Sequence, residues 1–253
     1  MTSPPALLLI GPGPRDAEEP AALHSLVRTV GERAPWLPVG GGSVESLADT
    51  VDELVARHGV RHFAAVPLAL ATGGVRDALR REALRHPDTS YRHLPLDARP
   101  ELLEALERRL DAALGDGRRS PSDRAATTVL LVGRGTTDPD GNAEAHRAAR
   151  LLWEGRGYAG VETAFGSVAA PDVPSGLDRC VRLGARRVVV LPYFLFGGPL
   201  AGRVRQQAEG WAEAHPGIDV RYAEAVGGTP ELAELVLARY HEALREDCEV
   251  CAP

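Results

Sequence analysis

The side chains able to do chemistry in this chain gather at turns. Gly11-Pro12-Gly13 is followed by Arg15 and Asp16. A guanidinium there could hold a carboxylated ligand, and the aspartate is suited to capping the helix that follows. A second turn, Gly133-Arg134-Gly135, runs on to Asp138. A lone Gly-x-Gly more often serves a tight strand-to-helix turn than a phosphate. Glu45 stands beside Ser46 at the start of a helical pattern, where the helix dipole favours an acid. The pair Gly73-Gly74 leads into Val75. Cys248-Glu249-Val250-Cys251 offers two thiols at a spacing suited to zinc or thiol chemistry, with a frayed tail as the competing reading. His24 and His146 occupy helical positions. They could form a metal pair only if their helices faced each other, and are otherwise partly exposed helix histidines.

These turns belong to a unit that occurs twice. Leu7–Asp16 reads LLLIGPGPRD and Val129–Asp138 reads VLLVGRGTTD. Gly11 and Gly133 lie 122 residues apart, as do Asp16 and Asp138, and His24 and His146. GVRHFAAVPLAL (Gly59–Leu70) pairs with GARRVVVLPYFL (Gly184–Leu195), and His86-Pro87 with His215-Pro216. Each unit closes on an amphipathic helix, Pro100–Leu114 and Pro230–Leu244. Between them Gly115–Ala126 is polar and rich in Gly, Ser and Pro, as a junction should be. This divides the chain into a first lobe at 1–114, a linker at 115–126, and a second lobe at 127–253 that carries the cysteine tail.

Within the first unit, short apolar runs predict strands at Ala6–Ile10, Val39–Val44, His62–Leu70 and Tyr91–Leu96. Period-3.6 spacing predicts helices at Glu18–Glu32, Leu47–His58 and Val75–Arg85. Buried strands alternating with helices imply a parallel sheet covered on both faces, an α/β fold. Ligands bind beyond the carboxyl ends of such strands. In the first unit these are Gly11–Arg15, Gly42–Glu45 and Leu70–Arg76. In the second they are Gly133–Thr137, Phe165–Val168 and Phe196–Leu200.

Composition narrows the function. Hydrophobic residues make up 44% and charged residues 25%, with a net charge of −6. No basic face is implied, so nucleic acid is not an expected partner. No run approaches the roughly 20 apolar residues of a membrane span, and the first residues do not read as a signal peptide. Three cysteines make no disulfide framework, which points to the cytoplasm.

Two blocks of the second unit carry a specific resemblance. They are VLLVGRGTTDPDGNAEAHRAARLLWEGRGYAGVETAF (Val129–Phe165) and APDVPSGLDRCVRLGARRVVVLPYFLFGG (Ala170–Gly198). The chain resembles the class II tetrapyrrole chelatases, in the two-unit form of the sirohydrochlorin cobaltochelatases and ferrochelatases. The resemblance covers nearly all of residues 6–245. It implies two flavodoxin-like lobes facing a central cleft. It also implies a lyase-type activity, insertion of Co²⁺ or Fe²⁺ as substrate into an acidic modified tetrapyrrole. Members carry one histidine in a Gly-His-Gly turn and another after a Gly-Gly pair. Here Pro12 and Val75 occupy those places, and neither can ligate a metal or take a proton. Arg134 and Pro199 take the matching places in the second unit, and neither is a sensible metal ligand. Glu45 matches a family glutamate near the metal, so a ligand or base role joins the helix-acid reading. Gly11, Pro12, Gly13, Arg15, Gly73, Gly74, Val75 and Arg134 are the implied contacts to the anionic ligand. In some relatives a terminal cysteine pair is associated with an iron–sulfur cluster. Cys248 and Cys251 would supply half of a four-thiolate site, and a homodimer or Cys180 the remainder. The alternative function is a binding protein, or an enzyme of a specialised pathway, on the same fold.

Overall fold

The computed structural model describes residues 4–11, 18–68, 75–96, 98–115, 120–227 and 230–245. In the first unit β1 (Ala6–Gly11), β2 (Val39–Ser43), β3 (His62–Pro67) and β4 (Ser90–His93) form a parallel sheet in the order β2-β1-β3-β4. In the second, β5 (Thr128–Gly133), β6 (Gly160–Phe165), β7 (Arg187–Pro192) and β8 (Asp219–Tyr222) repeat it as β6-β5-β7-β8. The chain steps from a central strand to one side and then to the other. The connections therefore diverge at the carboxyl ends of β1 and β3, and of β5 and β7, which is the switch point where ligands bind.

Every residue of β1 and β5 is buried, so both faces need cover. The period-2 alternation of strand side chains decides what each face meets. Ala6, Leu8 and Ile10 pack on α2 (Leu47–His58) and α3 (Val75–Arg85) through Leu47, Val51, Leu54, Ala78 and Leu79. Leu130 and Val132 likewise meet α7 (Val173–Arg182) and α8 (Pro199–Ala214) through Val173, Leu177, Leu200 and Val204. Cys180 is fully buried in that layer, and burial pushes its thiol up to about 12. The edge strand β2 reads Val-Gly-Gly-Gly-Ser for a steric reason. A Cβ on Gly40, Gly41 or Gly42 would lie 2.8 Å from Leu54, 2.5 Å from Val27 or 2.5 Å from Thr50. α1 (Glu18–Arg33) and α2 thus rest on bare backbone.

On the opposite faces packing departs from chain order. α4 (Pro100–Leu114) buries Leu102, Leu103, Leu106, Leu110 and Leu114, on the order of 10 kcal/mol of gross apolar burial. It does so against β7, β8 and α6 (Pro139–Trp153), all in the second half of the chain. α9 (Pro230–Arg245) packs instead on α1 and β3. Tyr240 donates to Pro5 O at 2.6 Å, and Arg92 Nη1 to Ala243 O at 2.9 Å. The compact units are accordingly Met1–Leu96 with Gly228–Pro253, and Asp97–Gly227. This grouping by contacts differs from the contiguous repeat units in where the two closing helices pack. Both closing helices have an apolar stripe, and a stripe does not say which of two similar sheets it will meet.

The 115–126 linker also holds more structure than its composition predicts. α5 (Pro121–Ala125) starts at Ser120, whose side chain and that of Asp123 cap it reciprocally. Arg124 reaches back to Asp111, with Nη2 to both carboxylate oxygens at 2.9 and 3.0 Å, and to Glu107. Among the described residues no helix is long and apolar enough to cross a membrane.

Candidate functional site

At each switch point one further backbone bond extends the central ladder. Leu68 N donates to Ile10 O at 2.7 Å in the first unit, and Tyr193 N to Val132 O at 2.8 Å in the second. The loops that follow are where chemistry would sit.

In the first unit Gly11 ends β1 and is buried. Pro12, Gly13, Arg15, Gly73 and Gly74 lie outside the described residues, as do Cys248 and Cys251. Glu45 sits in the turn after β2. Ser43 N donates to Ser46 Oγ at 2.9 Å, and Ser46 N returns a bond to Ser43 Oγ at 3.2 Å. This reciprocal latch holds the turn, and Glu45 is exposed at its tip. Val75 is different. It opens α3, is 4% exposed, and belongs to the hydrophobic core beneath the sheet edge.

The second unit presents the matching positions with other chemistry. β1 pairs Gly11 with Ser43, and β5 pairs Gly133 with Phe165, so Glu45 corresponds to Ser167. Ile10 pairs with Pro67 and Val132 with Pro192, so by register Val75 corresponds to Leu200, one residue beyond the Pro199 read from sequence, and Leu200 is also buried. Arg134, half-buried, corresponds to Pro12. Its carbonyl accepts from Ser167 N at 3.0 Å and from Ser167 Oγ at 2.9 Å. Gly135 has φ +84°, and a Cβ there would lie 1.8 Å from Ser167 O, so only glycine fits. Asn142 clamps the same loop, accepting from Thr136 N at 3.0 Å and donating to Thr136 O at 2.8 Å. Asp138 caps α6 by accepting from Asp140 N at 3.1 Å, the role expected for its repeat mate Asp16.

The segment after β6 carries a feature that sequence reasoning missed. Ala169 N donates to Ser167 O at 2.6 Å across Val168, whose φ is +62°. A three-residue turn of this kind in a β-branched residue costs roughly 1–3 kcal/mol. Val168 is nevertheless 72% exposed. The sequence pattern places a strand end at Phe165–Val168, but no local signal marks a valine for the left-handed region.

The remaining candidates are simpler. His24 and His146 are exposed helix histidines, on α1 and α6. His146 Nδ1 shares a 2.9 Å hydrogen bond with Thr163 Oγ1. Among the described residues no group of three or more His, Cys, Asp or Glu is placed to hold a metal. The described edges therefore offer the exposed carboxylate of Glu45 in the first unit and, in the second, an arginine held by its backbone followed by the helix-capping carboxylate of Asp138.

Comparison with known proteins agrees with this doubled architecture. The CbiX family model matches residues 6–113 and again residues 128–243. The sirohydrochlorin cobaltochelatase of Priestia megaterium is 32% identical over 216 residues, which is 81% of this chain and 69% of that protein. The sirohydrochlorin ferrochelatase of the same organism is 27% identical over 164 residues, 62% of this chain and 59% of that one. Among solved structures, SirB from Bacillus subtilis with Fe3+ superposes with a TM-score of 0.75 at 22% identity, covering 94% of this chain and 95% of that one. That last likeness is one of fold. With its model matched once on each repeat, and a cobaltochelatase sharing nearly a third of the aligned residues, the chain belongs to the CbiX family.

Proposed function

We propose that this protein binds a sirohydrochlorin-type modified tetrapyrrole at the carboxyl edge of its first sheet and inserts Co²⁺ or Fe²⁺ into it slowly. The carrying observation is Glu45, exposed on a serine-latched turn at the sheet edge of a chain that matches a chelatase family twice. Insertion requires two pyrrole N–H protons to leave and a divalent metal to be held, then released. Neutral imidazole suits both tasks, since its ordinary pKa lies near neutrality and it ligates first-row metals well. Pro12 and Val75 offer neither function. A carboxylate can do both less well: it accepts a proton and binds a divalent cation through oxygen, but it is a poorer partner for Co²⁺ and Fe²⁺ than imidazole. Glu45 is thus proposed as metal contact and base. Arg15 is proposed to hold a ligand carboxylate and the glycines Gly11, Gly13, Gly73 and Gly74 to let the ligand approach the backbone, while Arg134 is proposed as a carboxylate contact at the edge of the second sheet.

A second reading, a tetrapyrrole or metal carrier without insertion, is favoured by Val75. A site position filled by a buried core side chain has been given over to packing.

The test is an anaerobic absorbance assay with sirohydrochlorin and Co²⁺ or Fe²⁺, comparing native protein, Glu45→Gln and no protein. Insertion above the control that falls to the control level in Glu45→Gln supports the proposal. A spectrum that shifts on binding with no insertion supports the carrier. No spectral change at all overturns insertion and the tetrapyrrole carrier, and leaves only the metal carrier.

A further inference from the structure

Val168 combines properties that folding alone does not explain. Its backbone lies at φ +62°, a region that a β-branched residue avoids, and its side chain is 72% exposed. Glycine or asparagine would hold that conformation at lower cost. A core valine would be repaid by packing, but this one has solvent around most of its surface. Nor is the turn loosely held. Ser167 is tied through both its backbone N–H and its hydroxyl to Arg134 O. Phe165 N donates to Pro171 O at 2.8 Å across the base of the loop. The missing Cβ of Gly135 leaves room for Ser167 O. The chain therefore fixes an exposed isopropyl group at the carboxyl edge of the second sheet, one residue from the serine that holds Arg134. Strain of this kind gathers at ligand clamps.

We propose that Val168 is a substrate-contacting, specificity-determining residue. Its isopropyl group is the apolar counter-surface for the flat macrocycle, while Arg134 serves a carboxylate on the ligand's rim. The inference rests on the tetrapyrrole reading above and concerns the carboxyl edge of the second sheet alone. A ligand with carboxylates but no flat apolar body gains nothing from this contact, so Val168 would favour macrocycles over small polyacids.

The experiment titrates metal-free sirohydrochlorin into native protein, Val168→Asn, Val168→Gly and Leu183→Asn, following the absorbance band, with urea unfolding of each in parallel. Leu183 is a control, 67% exposed at the end of α7 and just before β7 begins, at the opposite edge of the same sheet. Val168→Asn and Val168→Gly are expected to bind about tenfold more weakly while unfolding at the same or higher urea. Leu183→Asn is expected to bind like native protein. Native-like affinity in both Val168 variants overturns the contact and leaves the tetrapyrrole reading standing. An equal loss in Leu183→Asn also overturns it. Lower stability in both Val168 variants removes the strain argument. Native protein that leaves the sirohydrochlorin band unmoved overturns the tetrapyrrole reading, and this inference with it.

Discussion

The two sheets have the same strand order and matched registers, yet their carboxyl edges differ in kind. At the first, a latched turn lifts an exposed carboxylate, Glu45, into solvent, and a position one would give to chemistry, Val75, has sunk into the core. At the second, Arg134, Gly135, Ser167 and Asn142 interlock two loops, and the corresponding serine spends its side chain on a backbone carbonyl. Strand register is set by apolar burial across whole elements, so it survives duplication. Edge chemistry depends on single loop residues, which can change without disturbing the sheet. A shared scaffold therefore does not require shared chemistry in its halves.

The contrast breaks most sharply at Gly135. Gly135→Ala places a methyl group on Ser167 O and strains a φ of +84°, so the unfolding free energy should fall by about 3 kcal/mol. Gly31→Ala in α1 of the first unit, where a Cβ meets nothing within 4 Å, should be neutral or stabilising. Urea midpoints of the two variants decide this. Equal midpoints would mean that the loops of the second unit are not interlocked as described.

Arg124→Ala tests how the exchanged helix α4 is held. Removing the guanidinium leaves Asp111 and Glu107, both largely buried, without their shared partner, at a cost of about 2 kcal/mol. Arg57→Ala in the first unit loses only an exposed pair with Glu53 and should cost under about 0.5 kcal/mol. Thermal unfolding of the two variants gives the comparison.

The smallest effect is one of pH. Burial alone would raise the Asp219 carboxyl, but hydrogen bonds from Arg221 and Arg187 outweigh it and hold the group below the usual carboxylate range. A lowered carboxyl contributes stability above its unfolded value, near 3.9, and that stability is lost as pH falls through the folded value. Asp219→Asn should therefore flatten the acid limb of the stability curve. With the side chain 38% exposed, solvent screening keeps the effect under about 1 kcal/mol. Asp52 in the first unit is lowered by its hydrogen bond from Arg85 but is more open, so Asp52→Asn should change the acid limb less. The reverse order would contradict the account.

Much of the fold was legible because its signals are local. α2, α3 and α4 begin and end where apolar spacing, Gly59 and Pro100 place them. The doubled strands follow from the repeat itself. What stayed hidden depends on partners distant in sequence. The exchange of α4 and α9 reflects which sheet each leucine stripe meets. The burial of Val75 reflects helices packing beneath it, while the turn at Val168 is anchored by hydrogen bonds that Ser167 donates to a loop some thirty residues earlier. Glu45 and Arg134 are legible from their place at strand ends, whereas the latch on one and the clamp on the other depend on contacts that no local sequence signal carries.

The account turns on the claim that a chelatase-type site persists without its imidazoles, and the direct measurement restores them. Anaerobic insertion of Co²⁺ into sirohydrochlorin should be timed for native protein, Pro12→His, and Pro12→His with Val75→His. Because Val75 is buried, folding of the double variant is checked by circular dichroism, and the single variant stands beside it. The account predicts a gain of about 100-fold in the double variant, the size of a restored acid–base group, and a smaller gain in the single one. A folded double variant that inserts metal no faster than native protein would contradict it.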